Sequence, residues 1–420
     1  MKLNKWTLGL AAVGVVSLAS VARAEEQKNA LQTALSSTTI SGYVDTSAQW
    51  NPDTGNGSLP PYKFGGANKA DGFNLNVIQL SIAKPLDESE WAAGYKADLW
   101  FGPDANSLHT LSSSAKINEG SGYHDYDARD FAVRQAYVAL RMPVGNGLDW
   151  KMGVFDTIIG YESLESGNNP NYTRSYGHSI EPQTHTGLLA TYRFGDEISV
   201  SAGIANTVGP SINQRAFGSS YMSGTDGDKA ESYKSYMGSI ALTAPSDWGW
   251  LAGSTLYGGI VNGYNEDQEG ADIAENAISW YAGLTLATPV TGLKLGAAFD
   301  YLNAQQYGDE NNVWSVAGYA SYQATEKLSL HLRAEYMADN MWYFYEAADD
   351  GNFYSTFKVC AVTATVQYDL WQNVVSRLEF RWDSSADGSK RFGGDNSYYN
   401  NSSGLSNNAF MLALNVIYKF

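Results

Sequence analysis

The sequence predicts an all-β protein: a transmembrane antiparallel β-barrel of about 16 strands, with short turns at one end and long loops at the other. Three observations predict it. Segment after segment alternates apolar and polar side chains, the links between segments alternate short and long, and the last alternating segment closes the chain with Phe420.

The elements follow in order. Lys2 and Lys5 precede a mostly apolar run, Leu8 to Ala22, and then Ala22-Arg23-Ala24. A basic start, a short apolar run and a small-x-small tripeptide are what an export signal needs, so residues 1–24 are expected to be cut away before Glu25. That run is too short to stay as a spanning helix, and no later stretch has about 18 consecutive apolar residues. Residues 25–37 are expected to be a short periplasmic lead, and 38–420 the barrel.

Strand segments are expected at 38–50, 72–84, 90–101, 129–142, 147–159, 183–194, 197–208 and 234–244. They continue at 250–263, 276–288, 292–304, 311–323, 326–339, 358–369, 372–383 and 407–420. Each has the length of a tilted membrane strand or slightly more. Two show the period most clearly. Leu328, Leu330, Leu332, Ala334 and Tyr336 share one face while Ser329, His331, Arg333 and Glu335 share the other. Leu378, Phe380 and Trp382 oppose Arg377, Glu379, Arg381 and Asp383. A soluble sandwich would turn its polar face outward; here a lipid-facing apolar exterior and a polar interior fit better.

The short links, such as Pro143-Val144-Gly145-Asn146 and Gly195-Asp196, carry tight-turn chemistry. The long ones, such as 102–128, 160–182, 209–233, 340–357 and 384–406, are rich in Asn, Ser, Gly, Asp and Tyr. Short periplasmic turns and long extracellular loops are how such barrels sit, and an even strand count leaves both termini on the periplasmic side.

Composition agrees. Glycine (42), tyrosine (28) and tryptophan (12) are plentiful, Lys plus Arg number 27, and mean hydropathy is −0.31. Alternating strands let such a chain cross the periplasm and still present an apolar exterior, with Tyr and Trp at the interfaces. Loss of residues 1–24 would take the net charge from −17 to −20, an acidic balance that argues against nucleic acid as a partner. Cys360 is the sole cysteine, so no disulfide framework forms. The acidic run Glu266-Asp267-Gln268-Glu269 lacks the spacing of a calcium loop, and no His-x-His or HExxH spacing occurs. Five histidines without a Ser-His or acid partner at a telling spacing offer no catalytic constellation; no metal, cofactor or enzyme activity is expected.

With lipid-facing parity assigned, the opposite parity lines the lumen. It carries Lys96, Asp98, Trp100, Arg134, His185, Arg193, Lys294, Asp300, His331, Arg333, Glu335, Arg377, Glu379, Arg381 and Asp383. Charge at these positions costs little in a hydrated channel and about 2–4 kcal/mol for a midplane Arg or Lys facing lipid. At about sixteen strands a barrel holds an aqueous channel unless something fills it.

Several stretches resemble the OmpL-like, or porin-2, family of β-barrel porins: SGYVDTSAQW at 41–50, VRQAYVALRMPVGNGLDWKMGVFDTIIGYE at 133–162, NPNYTRSYGHSIEP at 169–182, THTGLLATY at 184–192 and SRLEFRWD at 376–383. The resemblance covers most of the chain beyond residue 24, and the middle block is its most specific part. It implies an outer-membrane porin of a Gram-negative-type bacterium through which small hydrophilic solutes and ions diffuse passively. It supplies no ligand residues.

In sixteen-stranded porins the third loop folds inward, and 160–182 holds that position. Glu162, Glu165 and Arg174 are therefore expected at a constriction, the two glutamates facing wall arginines such as Arg377 and Arg381. Acidic outer loops predict a modest cation preference. Outer-membrane lipid and lipopolysaccharide are the expected surroundings, and a homotrimer is left open against a monomer. Two other readings stand beside general diffusion: a channel specific for a sugar or carboxylate, and a structural or adhesive barrel that acts through its loops.

Overall fold

The computed structural model describes residues 37–62, 71–108, 110, 130–216, 232–264, 276–306, 309–340, 356–397 and 400–420. The proposed signal, nearly all of the 25–37 lead, the 266–269 acidic run and much of loops 102–128, 209–233 and 340–357 lie outside them.

Period-two alternation makes sheet, and closure removes the unpaired edges that hydrocarbon would not tolerate. The first eight barrel strands are β1 (Thr39–Trp50), β2 (Gly72–Lys84), β3 (Ala92–Phe101), β4 (Phe131–Met142), β5 (Leu148–Asp156), β6 (Thr184–Arg193), β7 (Ile198–Ala205) and β8 (Ser235–Thr243). The next seven are β9 (Thr255–Tyr264), β10 (Asn276–Ala287), β11 (Leu293–Gln306), β12 (Asp309–Gln323), β13 (Leu328–Asp339), β14 (Phe357–Trp371) and β15 (Val374–Ser385). A hairpin of β16 (Phe392–Ser397) and β17 (Asn400–Ser406) stands apart, and β18 (Asn408–Lys419) completes a closed antiparallel barrel of 16 strands.

Closure pairs β1 with β18, from Tyr43 opposite Lys419 to Trp50 opposite Leu412. Phe420 extends the seam: its N–H donates to the Gly42 carbonyl and the Gly42 N–H to its carbonyl, both at 2.9 Å. A Cβ on Gly42 would run first into the Gln79 backbone carbonyl of β2 and then sit 2.6 Å from the Phe420 ring, so glycine fits both the neighbouring strand and the terminal aromatic.

The two faces of each strand differ as lipid and lumen require. On β13, Leu332 is 48% exposed and its neighbour Arg333 is fully buried. On β15, Leu378, Phe380 and Trp382 are exposed while Arg377, Glu379, Arg381 and Asp383 are buried. Exposed aromatics gather at both rims. Trp91, Phe194, Trp248, Trp250 and Trp371 stand at the turn end, and Trp50, Phe73, Phe101 and Phe131 at the loop end, the two interfacial girdles of a membrane barrel. No helix among the described residues is long and apolar enough to cross a membrane; the strands do the crossing.

Three departures from the expected elements have local causes. The strand foreseen to 159 leaves the wall after Asp156, because Ile158 and Ile159 turn in and are buried in the interior cluster. Between β11 and β12 the pairing runs out to Gln306 opposite Asp309, so this outer link is a tight hairpin and the short–long alternation breaks here. The stretch 384–406, read as loop, holds β16 and β17; Gly57 N–H donates to Gly394 O (3.0 Å) and Gly394 N–H to Thr54 O (3.2 Å), tying the first outer loop to the last.

Candidate pore constriction

After β5 the chain does not run over the mouth. In the ring order, β5 and β13 are eight strands apart in sixteen, on opposite walls. Residues of the 157–183 link nonetheless bond to β13, β14, β15 and β18, so this segment crosses the lumen.

Its shape comes from local chemistry. Asn169 closes a loop by accepting the Ser163 N–H (2.7 Å) and donating to the Ser163 carbonyl (2.7 Å). Ser175 caps α1, counted here as the short helix Tyr176–Ile180, by accepting the His178 N–H at 3.0 Å. A backbone inside a barrel must still satisfy its polar groups, and the wall supplies the partners.

Arg333 holds the segment from β13. Its guanidinium donates to Glu162 (2.9 Å), to the Thr173 carbonyl (2.7 Å) and hydroxyl (3.1 Å), and to the Arg174 carbonyl (3.0 Å). Its Nε donates to Glu335 at 2.8 Å, and Glu335 in turn accepts the Tyr176 N–H at 2.8 Å. On β15, Glu379 accepts the N–H groups of Tyr172 (2.6 Å) and Thr173 (2.8 Å). Arg377 donates to the carbonyls of Ser166 (3.1 Å), Asn169 (3.0 Å) and Asn171 (3.0 Å), and is steadied by Asn415 of β18 at 2.6 Å. Arg381 donates to the Arg174 carbonyl at 2.7 Å, pairs with Asp383 at 2.8 Å, and lies 5.4 and 5.2 Å from the Tyr62 and Tyr176 rings.

A second cluster sits on the near wall. Arg134 pairs with Glu165 (2.9 Å), Asp156 (2.7 Å) and Asp98 (3.5 Å), and Asp98 also meets Lys96 at 3.0 Å. The glutamates therefore have other partners than expected: Glu162 pairs with Arg333 and Glu165 with Arg134, not with Arg377 and Arg381. The reason is path. The segment lays its backbone carbonyls, rather than its carboxylates, along β15. Arg174 points into the segment itself and donates to Leu164 O at 3.0 Å. His331 meets Ser321 at 2.9 Å below this network. Arg193 lies at the turn end of β6, half-buried and away from the segment.

Burial raises the Glu162 carboxyl, but Arg333, His178, Arg174 and the Ser175 N–H outweigh it and hold the group below its usual value. Burial, with Arg174 beside it, depresses His178 to about 4. Burial pushes Glu181 up to about 7, and it meets the Asp300 carboxyl of β11.

Sequence reasoning missed Tyr62, whose carbonyl accepts the Arg174 N–H at 2.5 Å, and Asn415. Only Asn415 left a trace: a buried amide among Met411, Ala413 and Ile417 on an inward face that is otherwise apolar as far as Lys419.

A closed sixteen-stranded barrel with an apolar outside, charged inside and a wall-anchored inward loop defines a porin-type outer-membrane channel. The chain belongs to the family described as "Putative beta-barrel porin-2, OmpL-like", whose model matches residues 37–420. It is a passive-diffusion channel of the outer membrane. Solved structures share the fold at low identity. The anion-selective porin from Comamonas acidovorans is 12% identical with TM-score 0.55, covering 91% of this chain and 99% of that one. The outer membrane channel DcaP of Acinetobacter baumannii is 12% identical (TM-score 0.52; 91% and 97% covered). The trimer form of OmpT from Vibrio cholerae is 10% identical (TM-score 0.52; 91% and 99% covered). No curated protein matches the chain.

Proposed function

We propose that the channel passes small hydrophilic solutes and ions through a constriction built by the third loop, with Glu162, Glu165 and Arg174 on the loop and the arginines of β4, β13 and β15 as its anchors. The observation that carries this reading is the crossing itself: residues 162–176 bond to the wall opposite their own strands. Charged side chains of both signs along that path favour polar over apolar solutes. The lumen residues Lys96, Asp98, His331, Glu335, Glu379 and Asp383 act chiefly by bracing the anchors. The reading assigns no catalysis.

Liposome swelling with sugars of graded size tests it. Flux that falls smoothly with size supports diffusion through a constriction. Saturation for one sugar or carboxylate would favour a specific channel, and no flux would favour an adhesive barrel. Assembly as a homotrimer belongs to the same proposal, motivated by the trimer form of the structurally similar Vibrio cholerae OmpT; chemical cross-linking in membranes checks it. Removal of residues 1–24 is checked by N-terminal sequencing, which should begin at Glu25.

A further inference from the structure

The lumen charges divide into those already neutralised and those that water reaches. Most buried acids are occupied by cations or loop donors: Glu162 and Glu335 by Arg333, Asp383 by Arg381, and Glu379 by loop N–H groups, while Asp300 meets the Glu181 carboxyl. Asp45 accepts the amides of Asn76 (2.9 Å) and Asn415 (2.6 Å). Lys151 of β5, Arg193 of β6 and Lys294 of β11 are different. All three have inward parity, all are half-buried, and among the described residues none forms an ion pair. Each lies within four residues of the turn end of its strand.

Parity is fixed by neighbours. Met152 beside Lys151 is 70% exposed to lipid, while the Lys151 ammonium sits 5.0 Å from the ring centre of inward Tyr137. Arg193 follows inward Leu189 and Thr191, the latter bonded to Ser201 at 2.8 Å. Lys294 alternates with exposed Leu295 and shares its face with buried Ala298 and Asp300.

We propose that the turn-side half of the lumen is a cationic vestibule that concentrates small anionic solutes, with Lys151, Arg193 and Lys294 carrying its field. The proposal rests on the channel reading and names the solute class for it. Strands β7 to β10, between Arg193 and Lys294, contain no charged residue, so nothing on that wall offsets them. Of the inward acids at that depth, Asp149 is clamped by Arg141 at 2.6 Å. Asp369, on β14 across the barrel, takes the Gln367 amide at 3.2 Å. Asp196 and Glu197 stand outside the wall in the exposed turn. The acidic outer loops are about 30 Å away, a strand's length foreshortened by tilt. Since the Debye length is about 10 Å at 0.1 M salt, their field does not reach the vestibule. Net charge of the chain therefore misleads: the accessible charge below the loop is positive.

The test is the reversal potential in planar bilayers across a potassium chloride gradient, for the full barrel and for a Lys151→Gln, Arg193→Gln, Lys294→Gln triple variant. The expected result is a chloride-over-potassium permeability ratio above one that falls about two- to threefold in the variant. Folding of each variant is read from its altered mobility on unheated detergent gels. If the triple fails to fold, Lys294→Gln alone should shift the ratio in the same direction. Potassium selectivity in the unaltered channel, or an unchanged ratio in folded variants, would overturn the charge assignment while leaving the channel reading intact. Absence of any conductance would overturn both.

Discussion

Arg333→Met removes the side chain on which the inward loop most depends. The guanidinium makes four hydrogen bonds to loop atoms and two to wall residues, Glu335 (2.8 Å) and Thr363 (3.2 Å). Met keeps the apolar volume and adds no charge. What it leaves behind is costly: Glu162 and Glu335, both fully buried, lose the cation between them, and the Thr173 carbonyl loses its donor, while the Arg174 carbonyl keeps Arg381. Breaking a buried pair by deleting one partner costs about 3–5 kcal/mol, because an uncompensated charge remains. The barrel should survive, since β12, β13 and β14 keep their full backbone register. The cost falls on loop docking, where Arg377 and Arg381 remain as anchors. Single-channel conductance should rise and become noisier, and the size limit in liposome swelling should move up. Adding Glu162→Gln should restore about 1–3 kcal/mol of docking by removing one stranded charge. A folded Arg333→Met barrel with unchanged conductance, noise and size limit would refute the claim that this arginine holds the constriction.

Three further outcomes are expected. Burial takes His178 from 6.5 to about 4, so its contribution to docking is full above pH 6.5 and is lost as pH falls toward 4. Burial takes Glu181 from 4.5 to about 7, so its contribution is full below pH 4.5 and is lost as pH rises toward 7. The two slopes oppose, and conductance of the unaltered channel should be nearly flat between them. Glu181→Gln should open progressively as pH falls through that window, and His178→Gln as it rises; flat profiles in both would sink the linkage. Leu332→Arg puts a charge on the lipid face near mid-strand and should lower barrel stability by about 2–4 kcal/mol in denaturant titration; a neutral effect would mean that this face does not meet lipid. Deleting Phe420 removes the paired 2.9 Å bonds to Gly42 at the seam and should slow folding into liposomes, followed by gel mobility.

Much of the architecture was legible because its causes are local. A side chain on β13 faces lipid or lumen according to its parity alone, so Leu332 and Arg333 could be assigned without any knowledge of the rest of the barrel. Turn chemistry at 143–146 and 195–196 likewise depends on the residues present. The exceptions came from contacts beyond the segment. Asp309 and Gln306 pair because two adjacent strands are long enough to continue, and β16–β17 forms where Gly394 meets the first loop.

The chain's own pattern determined that a barrel forms, how many strands it has and which face is charged. Which arginine meets which carboxylate was decided by tertiary structure. Glu162 finds Arg333, 171 positions later, because the loop's path across the lumen and the stagger of the closed sheet bring them together. Neither path nor stagger is written in a period of two. The same physics decides which charges solutes encounter: a strand displays all its inward charges alike, and only packing of the loop against the wall hides some and leaves Lys151, Arg193 and Lys294 half-buried and outside its ion-pair network.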